Sequence, residues 1–504
     1  MIEIMDTTLR DGEQTSGVSF APHEKVGIAR LLLKELKVDR IEIASARVSD
    51  GEFESARRLA SWAKQNKCLG RLEVLGFVDG DVSLNWIEKT GCKVLNLLCK
   101  GSYKHVTEQL HKTPEEHFAD IAEVVHLAEK KGIEVNIYLE DWSNGMRYSP
   151  EYVYRMVDTL KSLPIKRFMI PDTLGILNPE DTFQYCKEMV DRYPDVWFDF
   201  HAHNDYDLAV ANVYSAIRAG VQGIHTTVNG LGERAGNAAL SSVIAVIHDQ
   251  LNETTHVQEE KINHISKLVE MYSGIHLSPN KPIVGEFVFT QCAGVHADGD
   301  SKNNLYCNEL VPERFGRQRE YALGKTSGRA NIRKNLEALG VDLDDKSMRK
   351  VTERIIELGD KKEMVTQDDL PYIITDVLRH DPQQNKVKIL NYSLSLAQGL
   401  KPVASLKIEI DEKTYEGASN GDGQYDAFMK ALRKICKSTG QVIPMLTNYS
   451  VSIPPGGRTD ALVQTVITWN HNGSVFKTRG LDADQTEAAI KATLKMLNKI
   501  INES

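Results

Sequence analysis

Short apolar runs alternate with longer amphipathic ones from the first residues of the chain onward. Ile2 to Asp6 predicts a strand, His23 to Leu36 an amphipathic helix, Arg40 to Ala44 a second strand and Glu52 to Lys67 a second helix. The runs Leu72 to Phe77, Val94 to Cys99, Glu134 to Leu139, Arg167 to Pro171, Trp197 to His201 and Gly223 to Thr227 extend the series of strands. Between them lie helical segments near Ser83 to Lys89, Pro114 to Lys130, Pro150 to Leu163, Pro179 to Arg192 and Asp207 to Ala219. With a further helix after Asn237, eight βα units in roughly 250 residues match an α/β fold of the (β/α)8 TIM-barrel type. A doubly wound open sheet is the alternative.

Near residue 272 the rhythm gives way to loop-rich sequence (Ser278-Pro279-Asn280-Lys281-Pro282, Asp298-Gly299-Asp300) and then to charged helices from Gly328 to Leu339 and Lys346 to Leu358. From Val387 strands return at Lys388 to Leu396 and Ala404 to Ile410, followed by a helix at Tyr425 to Thr439. Two more strands, Asn448 to Ile453 and Ala461 to Trp469, precede a last helix at Ala483 to Ile500. The pattern is ββα twice. The expected domains are a catalytic barrel over 1–272, helical linker subdomains over 273–386 and a duplicated ββα module over 387–504. A duplicated module on the end of an enzyme is more often regulatory or dimerising than a second active site.

Composition narrows the partners. The 504 residues are 41% hydrophobic and 26% charged, enough to bury a substantial core without a bias toward disorder. The net charge is −9 and no Lys/Arg block stands out, which argues against nucleic acid. No apolar run approaches the ~20 residues needed to span a bilayer. Met1 runs straight into a strand, with no basic start or apolar h-region of a secretory signal. The seven cysteines are odd in number and scattered, with no C-x-x-C pair, which predicts reduced thiols in a cytoplasm.

In a barrel of this kind the chemistry sits at the C-terminal ends of the strands. Arg10 and Asp11 follow the first strand, Glu140 and Asp141 the fifth, and His201 with His203 close the seventh. Strand side chains alternate, so the two imidazoles point the same way and can share an ion. With Asp11 as a third ligand the set suits Zn2+, Mn2+ or Fe2+ and leaves positions open for substrate; two hydrogen-bonded histidines on a strand are the plainer reading. The loop Asn229 to Asn237 carries glycines spaced G-x-G-x-x-x-G after the last strand, where exposed amides suit an anion. It is not the dinucleotide fingerprint, and a tight turn without a ligand is its plainer reading. Gly324-Lys325-Thr326 resembles the end of a phosphate loop, but Arg319 stands where the upstream glycine belongs, so that reading is discarded.

Together the segments Leu9-Arg10-Asp11-Gly12-Glu13-Gln14, His201-Ala202-His203-Asn204-Asp205, the glycine loop through Asn237 and Gly294-Val295-His296 resemble the isopropylmalate/homocitrate synthase family of acyl-CoA-condensing transferases. The resemblance covers essentially the whole chain. Leu75 to Gly80, Tyr138 to Gly145 and Asn204 to Leu208 are similar to its bacterial citramalate branch. The resemblance implies a divalent metal (Mn2+, Mg2+ or Zn2+) held by Asp11, His201 and His203 with Asn237 at or near it, and acetyl-CoA as co-substrate. It gives Arg10 the developing oxyanion, Thr173 the substrate carboxylate, and Glu140 with His296 the removal of a methyl proton, Tyr306 lying beside His296, which could come from a partner subunit. Leu75, Leu98 and Tyr138 would wall the keto acid's side chain, and their bulk favours the methyl of pyruvate, giving (R)-citramalate on the route to isoleucine. These three residues could equally be plain core, and 2-isopropylmalate synthesis from 2-ketoisovalerate, on the route to leucine, is the alternative.

For the C-terminal module the resemblance implies a homodimer whose interface binds a feedback amino acid, isoleucine or leucine. Tyr425 and Asp426 in Gly421 to Asp426, the turn Pro454 to Asp460, and Gln485 are the expected effector residues, while Ala483 departs from an expected proline. A purely dimerising domain is the alternative there. For the chain as a whole the competing classes are a carbon–carbon lyase on the same barrel and a non-catalytic amino-acid sensor, which would show a broken ligand set.

Overall fold

The computed structural model describes residues 1–301, 305–360, 365, 370, 373–374, 377, 386–452, 463–482 and 484–503. Eight parallel strands form a closed barrel: β1 (Glu3–Asp6), β2 (Arg40–Ser45), β3 (Leu72–Phe77), β4 (Val94–Lys100), β5 (Glu134–Glu140), β6 (Ile165–Asp172), β7 (Phe198–Ala202) and β8 (Gly223–Thr226). Pairing of β1 with β8, from Glu3 opposite Gly223 to Asp6 opposite Thr226, completes the ring and rules out the open sheet.

Helices alternate with the strands because local signals start them where the strands end. In the helix Pro114–Lys130 Thr113 and Glu116 cap reciprocally, and at the helix Pro179–Arg192 the side chain of Asn178 accepts from two backbone amides of the first turn. Proline opens both, where its missing N–H costs nothing. On the helix Pro150–Leu160 the residues Tyr152, Val153, Met156, Val157 and Leu160 form one apolar stripe, buried between helix layer and barrel. That layer holds the main core.

The inside of the barrel is different. Arg40 donates to Glu73 at 2.8 Å and to Asp199 at 2.5 Å, and all three are buried. Asp199 also faces Nε2 of His225 at 3.2 Å, and Nδ1 of His225 lies 3.1 Å from the Tyr138 hydroxyl. Burial drives the His225 pKa down to about 3, so its ring is neutral.

The chain divides into two compact units, Met1–Phe289 with Cys307–Arg319, and Thr290–Tyr306 with Glu320–Ser504. In the second, a helix over Arg329–Leu339 and one over Asp345–Asp360 share a small core that includes Ile332, Leu336, Val351 and Ile355. Two similar modules follow. Strands Val387–Ser395, Val403–Ile410 and Lys413–Asn420 form an antiparallel sheet followed by the helix Gln424–Ser438. Strands Met445–Ser452, Val463–His471 and Ser474–Asp482 form another, followed by Gln485–Glu503.

Each module therefore has a third strand beyond the two read from the sequence. Polar residues and a glycine disguise it. A Cβ on Gly417 would stand 2.9 Å from Ile435, and one on Gly480 would stand 1.8 Å from the Ala488 carbonyl, so in both modules the glycine lets the helix lie against the strand. The turn Pro454 to Asp460 and Ala483 lie outside the described residues. Among the described residues no helix is long and apolar enough to cross a membrane, and all seven cysteines are free thiols.

Candidate metal centre and active site

Beyond β1 the backbone turns sharply, the amides of Arg10 and Asp11 both donating to the Thr7 carbonyl, at 3.1 and 2.8 Å. The fully buried ammonium of Lys25 fastens this turn, donating to the Leu9 carbonyl at 3.0 Å and pairing with Glu13 at 2.6 Å and with Glu52. Asp11 is thereby fixed at the barrel mouth. His201 is the last residue but one of β7, and His203 lies just past the strand's end, two residues on and on the same face.

The three side chains meet. Each of Asp11, His201 and His203 offers a ligand atom within 4.8 Å of the others, and all three are buried. Nε2 of His201 lies 3.3 Å from Nε2 of His203 and 3.2 Å from Oδ2 of Asp11.

Several buried atoms here have no partner, notably Oδ1 of Asp11 and Oδ1 of Asn237. Both are acceptors, which suits them to a cation. Asn237 is placed by a backbone bridge to His203 and by its own amide donating to the Leu231 carbonyl at 3.0 Å. Gly232 and Gly236, both at positive φ, make room, since a Cβ on Gly232 would stand 2.2 Å from Asn237 Nδ2. The protonation of His203 and of Asp11 agrees with ligation. Burial pushes the His203 pKa down to about 4, leaving a neutral ring. Burial opposes charge on Asp11, but Arg10 and His201 outweigh it and hold the carboxyl well below the usual range. A hard-to-borderline divalent ion fits this donor set.

Arg10 touches the same carboxylate, with Nη1 3.1 Å from Asp11 Oδ2 and Nε 2.5 Å from Glu42. Asn96 donates to the other Glu42 oxygen at 2.8 Å and Asn136 donates to Asn96 at 2.9 Å, forming a buried strut across three strands. Despite burial, Glu42 and Asp11 hold the guanidinium firmly protonated. Its Cζ stands 6.0 Å from the ring centre of Tyr138. Tyr138 and Leu75 form an apolar cluster with Met5 and Met169 that is separate from the main core, with Leu98 packed against it. The structure thus sets an apolar patch beside a cation and a ligand set.

Thr173 follows β6, and its oxygen accepts the Asp141 backbone N–H at 2.8 Å, so its own proton is free to be donated. At the end of β5, Glu140 is ion-paired with Lys100. The backbone of Lys100 is itself held, its carbonyl accepting from the Tyr152 hydroxyl at 2.7 Å and its amide donating to Nε2 of His117 at 3.1 Å.

Burial lowers the His117 pKa from 6.5 to about 4. A lowered folded-state value means the stability owed to the neutral ring is complete above pH 6.5 and drains away as pH falls toward 4, by about 1.4 kcal/mol per pH unit. The urea midpoint should fall more steeply between pH 7 and pH 4.5 in the wild type than in His117→Gln, whose amide oxygen can still accept from Lys100. Equal slopes would refute this.

His296 and Tyr306 belong to the second unit, where their rings lie 4.4 Å apart and both are exposed. A Cβ on Gly299 would fall 2.4 Å from the Tyr306 ring, so the glycine lets that ring lie along the helix Gly294–Ser301. Tyr425 is already engaged, its hydroxyl 2.7 Å from that of Thr493 and its ring beside Phe428 and Tyr449. Asp426 accepts from the Asp422 amide at 2.9 Å and pairs with Lys430 at 2.6 Å, while Gln485 is exposed at the start of its helix. Sequence reasoning missed Glu42, Lys100 and His225. Glu42 and His225 are polar residues inside runs read as strand, and that interruption was the available signal, whereas Lys100 is the residue by which the strand extends past the run Val94 to Cys99.

Three family models match the chain in succession: HMGL-like over residues 1–269, homocitrate synthase post-HMGL domain-like over 283–363, and LeuA allosteric (dimerisation) domain over 364–501. A putative (R)-citramalate synthase of Methanopyrus kandleri is 35% identical, the match covering 99% of this chain and 96% of that one. A probable 2-isopropylmalate synthase of the same organism is 34% identical, over 99% and 98% of the two chains. The (R)-citramalate synthase of Methanocaldococcus jannaschii is 31% identical over the full length of both.

Proposed function

The chain belongs to the family of the (R)-citramalate and 2-isopropylmalate synthases, acyltransferases that condense acetyl-CoA with a 2-oxo acid, and on that premise we propose that its own 2-oxo acid is pyruvate and its product (R)-citramalate. One observation carries the reading: the buried set Asp11, His201 and His203 lies beside Arg10, whose guanidinium carbon stands 6.0 Å from the ring centre of Tyr138, a member of the apolar patch with Leu75 and Leu98.

Asp11, His201 and His203, with Asn237 at hand, would hold a divalent ion such as Mn2+, Mg2+ or Zn2+, which when bound grips and polarises a 2-oxo acid. Thr173 donates its hydroxyl proton to the substrate carboxylate. Arg10 stabilises the negative charge that develops on the keto oxygen, a preorganised cation where charge appears. Glu140 and His296, with Tyr306 beside it, take the methyl proton of acetyl-CoA so that its carbon can attack the keto carbon. Water then cleaves the thioester and releases CoA. In this reading residues 1–272 are catalytic, 273–386 connect, and 387–504 form a homodimer that takes a branched-chain amino acid as feedback signal, with Tyr425, Asp426 and Gln485 near it.

The patch supports the choice of pyruvate. Leu75 and Tyr138 are buried and rest on Met5 and Met169, so a larger substituent has little to displace. Each extra methylene is worth about 1–3 kcal/mol in such a pocket, so two of them amount to a preference of about a hundredfold or more. The near-equal identity to the isopropylmalate enzyme favours 2-ketoisovalerate as the second reading.

Assaying CoA release against pyruvate, 2-ketoisovalerate and 2-ketoglutarate decides between them. Pyruvate should have the highest kcat/KM, and Leu98→Ala should narrow its lead over 2-ketoisovalerate. A clear preference for 2-ketoisovalerate in the wild type would overturn the substrate assignment.

A further inference from the structure

Asp141 follows Glu140 at the end of β5, and its backbone is left-handed, with φ at +65°. Aspartate and asparagine tolerate that region better than other residues with a side chain. The conformation turns the Asp141 N–H onto the oxygen of Thr173, 2.8 Å away.

The carboxylate is buried and held on both oxygens. Oδ2 accepts from the Ser102 hydroxyl at 2.7 Å and faces Nε2 of His105 at 3.4 Å, while Oδ1 accepts from Nδ2 of Asn144 at 2.8 Å. The backbone around it is close-packed. The Gly101 amide donates to the Glu140 carbonyl at 2.6 Å, and a Cβ on Gly101 would stand 2.4 Å from the Leu139 carbonyl. A Cβ on Gly145 would stand 2.2 Å from the Gly101 carbonyl. The loop after β4, the helix Trp142–Tyr148 and the end of β6 are thus tied together through one residue.

From this geometry we infer that Asp141 is a positioning residue for the 2-oxo acid: its caged carboxylate holds the left-handed turn, and the turn's N–H fills one lone pair of the Thr173 hydroxyl and fixes its oxygen, so that the hydroxyl proton is presented to the substrate carboxylate. The inference rests on the condensing function proposed above. Asp141 itself meets no substrate.

A double-mutant cycle tests it, read as KM for the 2-oxo acid, KM for acetyl-CoA and kcat in the full-length enzyme. Thr173→Ala and Asp141→Ala should each raise the 2-oxo acid KM about tenfold, with the acetyl-CoA KM within about twofold of wild type. The double variant should be no worse than Asp141→Ala alone, because both changes remove one interaction. Asp141→Asn, which keeps the backbone conformation accessible, should recover most of the loss. Ser102→Ala, which loosens the cage without touching Asp141, should shift the same KM in the same direction, and serves if Asp141→Ala does not fold. Multiplicative effects in the double variant, or an unchanged 2-oxo acid KM in Asp141→Ala or Ser102→Ala, would overturn the inference while leaving the condensing function standing. A wild-type enzyme that turns over no 2-oxo acid would overturn both.

Discussion

Arg10→Lys is expected to lower kcat by about a hundredfold to a thousandfold, the loss that follows removal of a preorganised oxyanion donor. Two features of the site make lysine a poor substitute. The guanidinium serves Glu42 through Nε and Asp11 through Nη1, at 2.5 and 3.1 Å, a two-sided engagement that a single ammonium cannot reproduce. Glu42 is fully buried and fixed by Asn96, so a lysine that reached toward Asp11 would strand a buried carboxylate. The measurement is steady-state CoA release alongside bound-metal content. Metal content should stay near wild type while kcat falls, and a kcat within about threefold of wild type would show that Arg10 does not meet the developing charge.

Asp11→Ala and His201→Ala are expected to be more severe, each lowering kcat/KM by more than about a thousandfold. Either change removes one of the three buried His and Asp ligands that converge among the described residues. Added Mn2+ at millimolar concentration should fail to restore activity in the variants. In the wild type, stripping with EDTA should abolish CoA release and Mn2+ should return it. Activity in Asp11→Ala close to wild type would remove the carboxylate from the chemistry, and EDTA-resistant turnover would remove the ion.

Much of this was legible in the residue pattern because barrels of this class place function where strands end. Asp11, His201 and His203 could be brought together from strand order and side-chain alternation alone, and the structure sets their ligand atoms within 4.8 Å of one another. The eight barrel strands were readable for a related reason: each is a short apolar run between amphipathic helices.

What escaped was polar material inside apolar surroundings. Glu42 sits within Arg40-Ile41-Glu42-Ile43, where period and composition say strand and nothing says that the acid braces Arg10. Lys100 and His225 are similar cases, since ion pairs and hydrogen bonds between strands distant in sequence leave no local periodicity. The third strand of each C-terminal module escaped for the opposite reason. Gly417 and Gly480 interrupt the apolar pattern of these segments, yet in three dimensions they are the points where a helix approaches its sheet.

The most direct test of the account is to count divalent ions on the purified chain, by titrating Mn2+ and following its electron spin resonance with and without pyruvate. The account predicts a single tight site per chain that is lost in Asp11→Ala and in His201→Ala, and whose spectrum changes when pyruvate is added. No stoichiometric binding, or binding that survives both substitutions and ignores pyruvate, would contradict it.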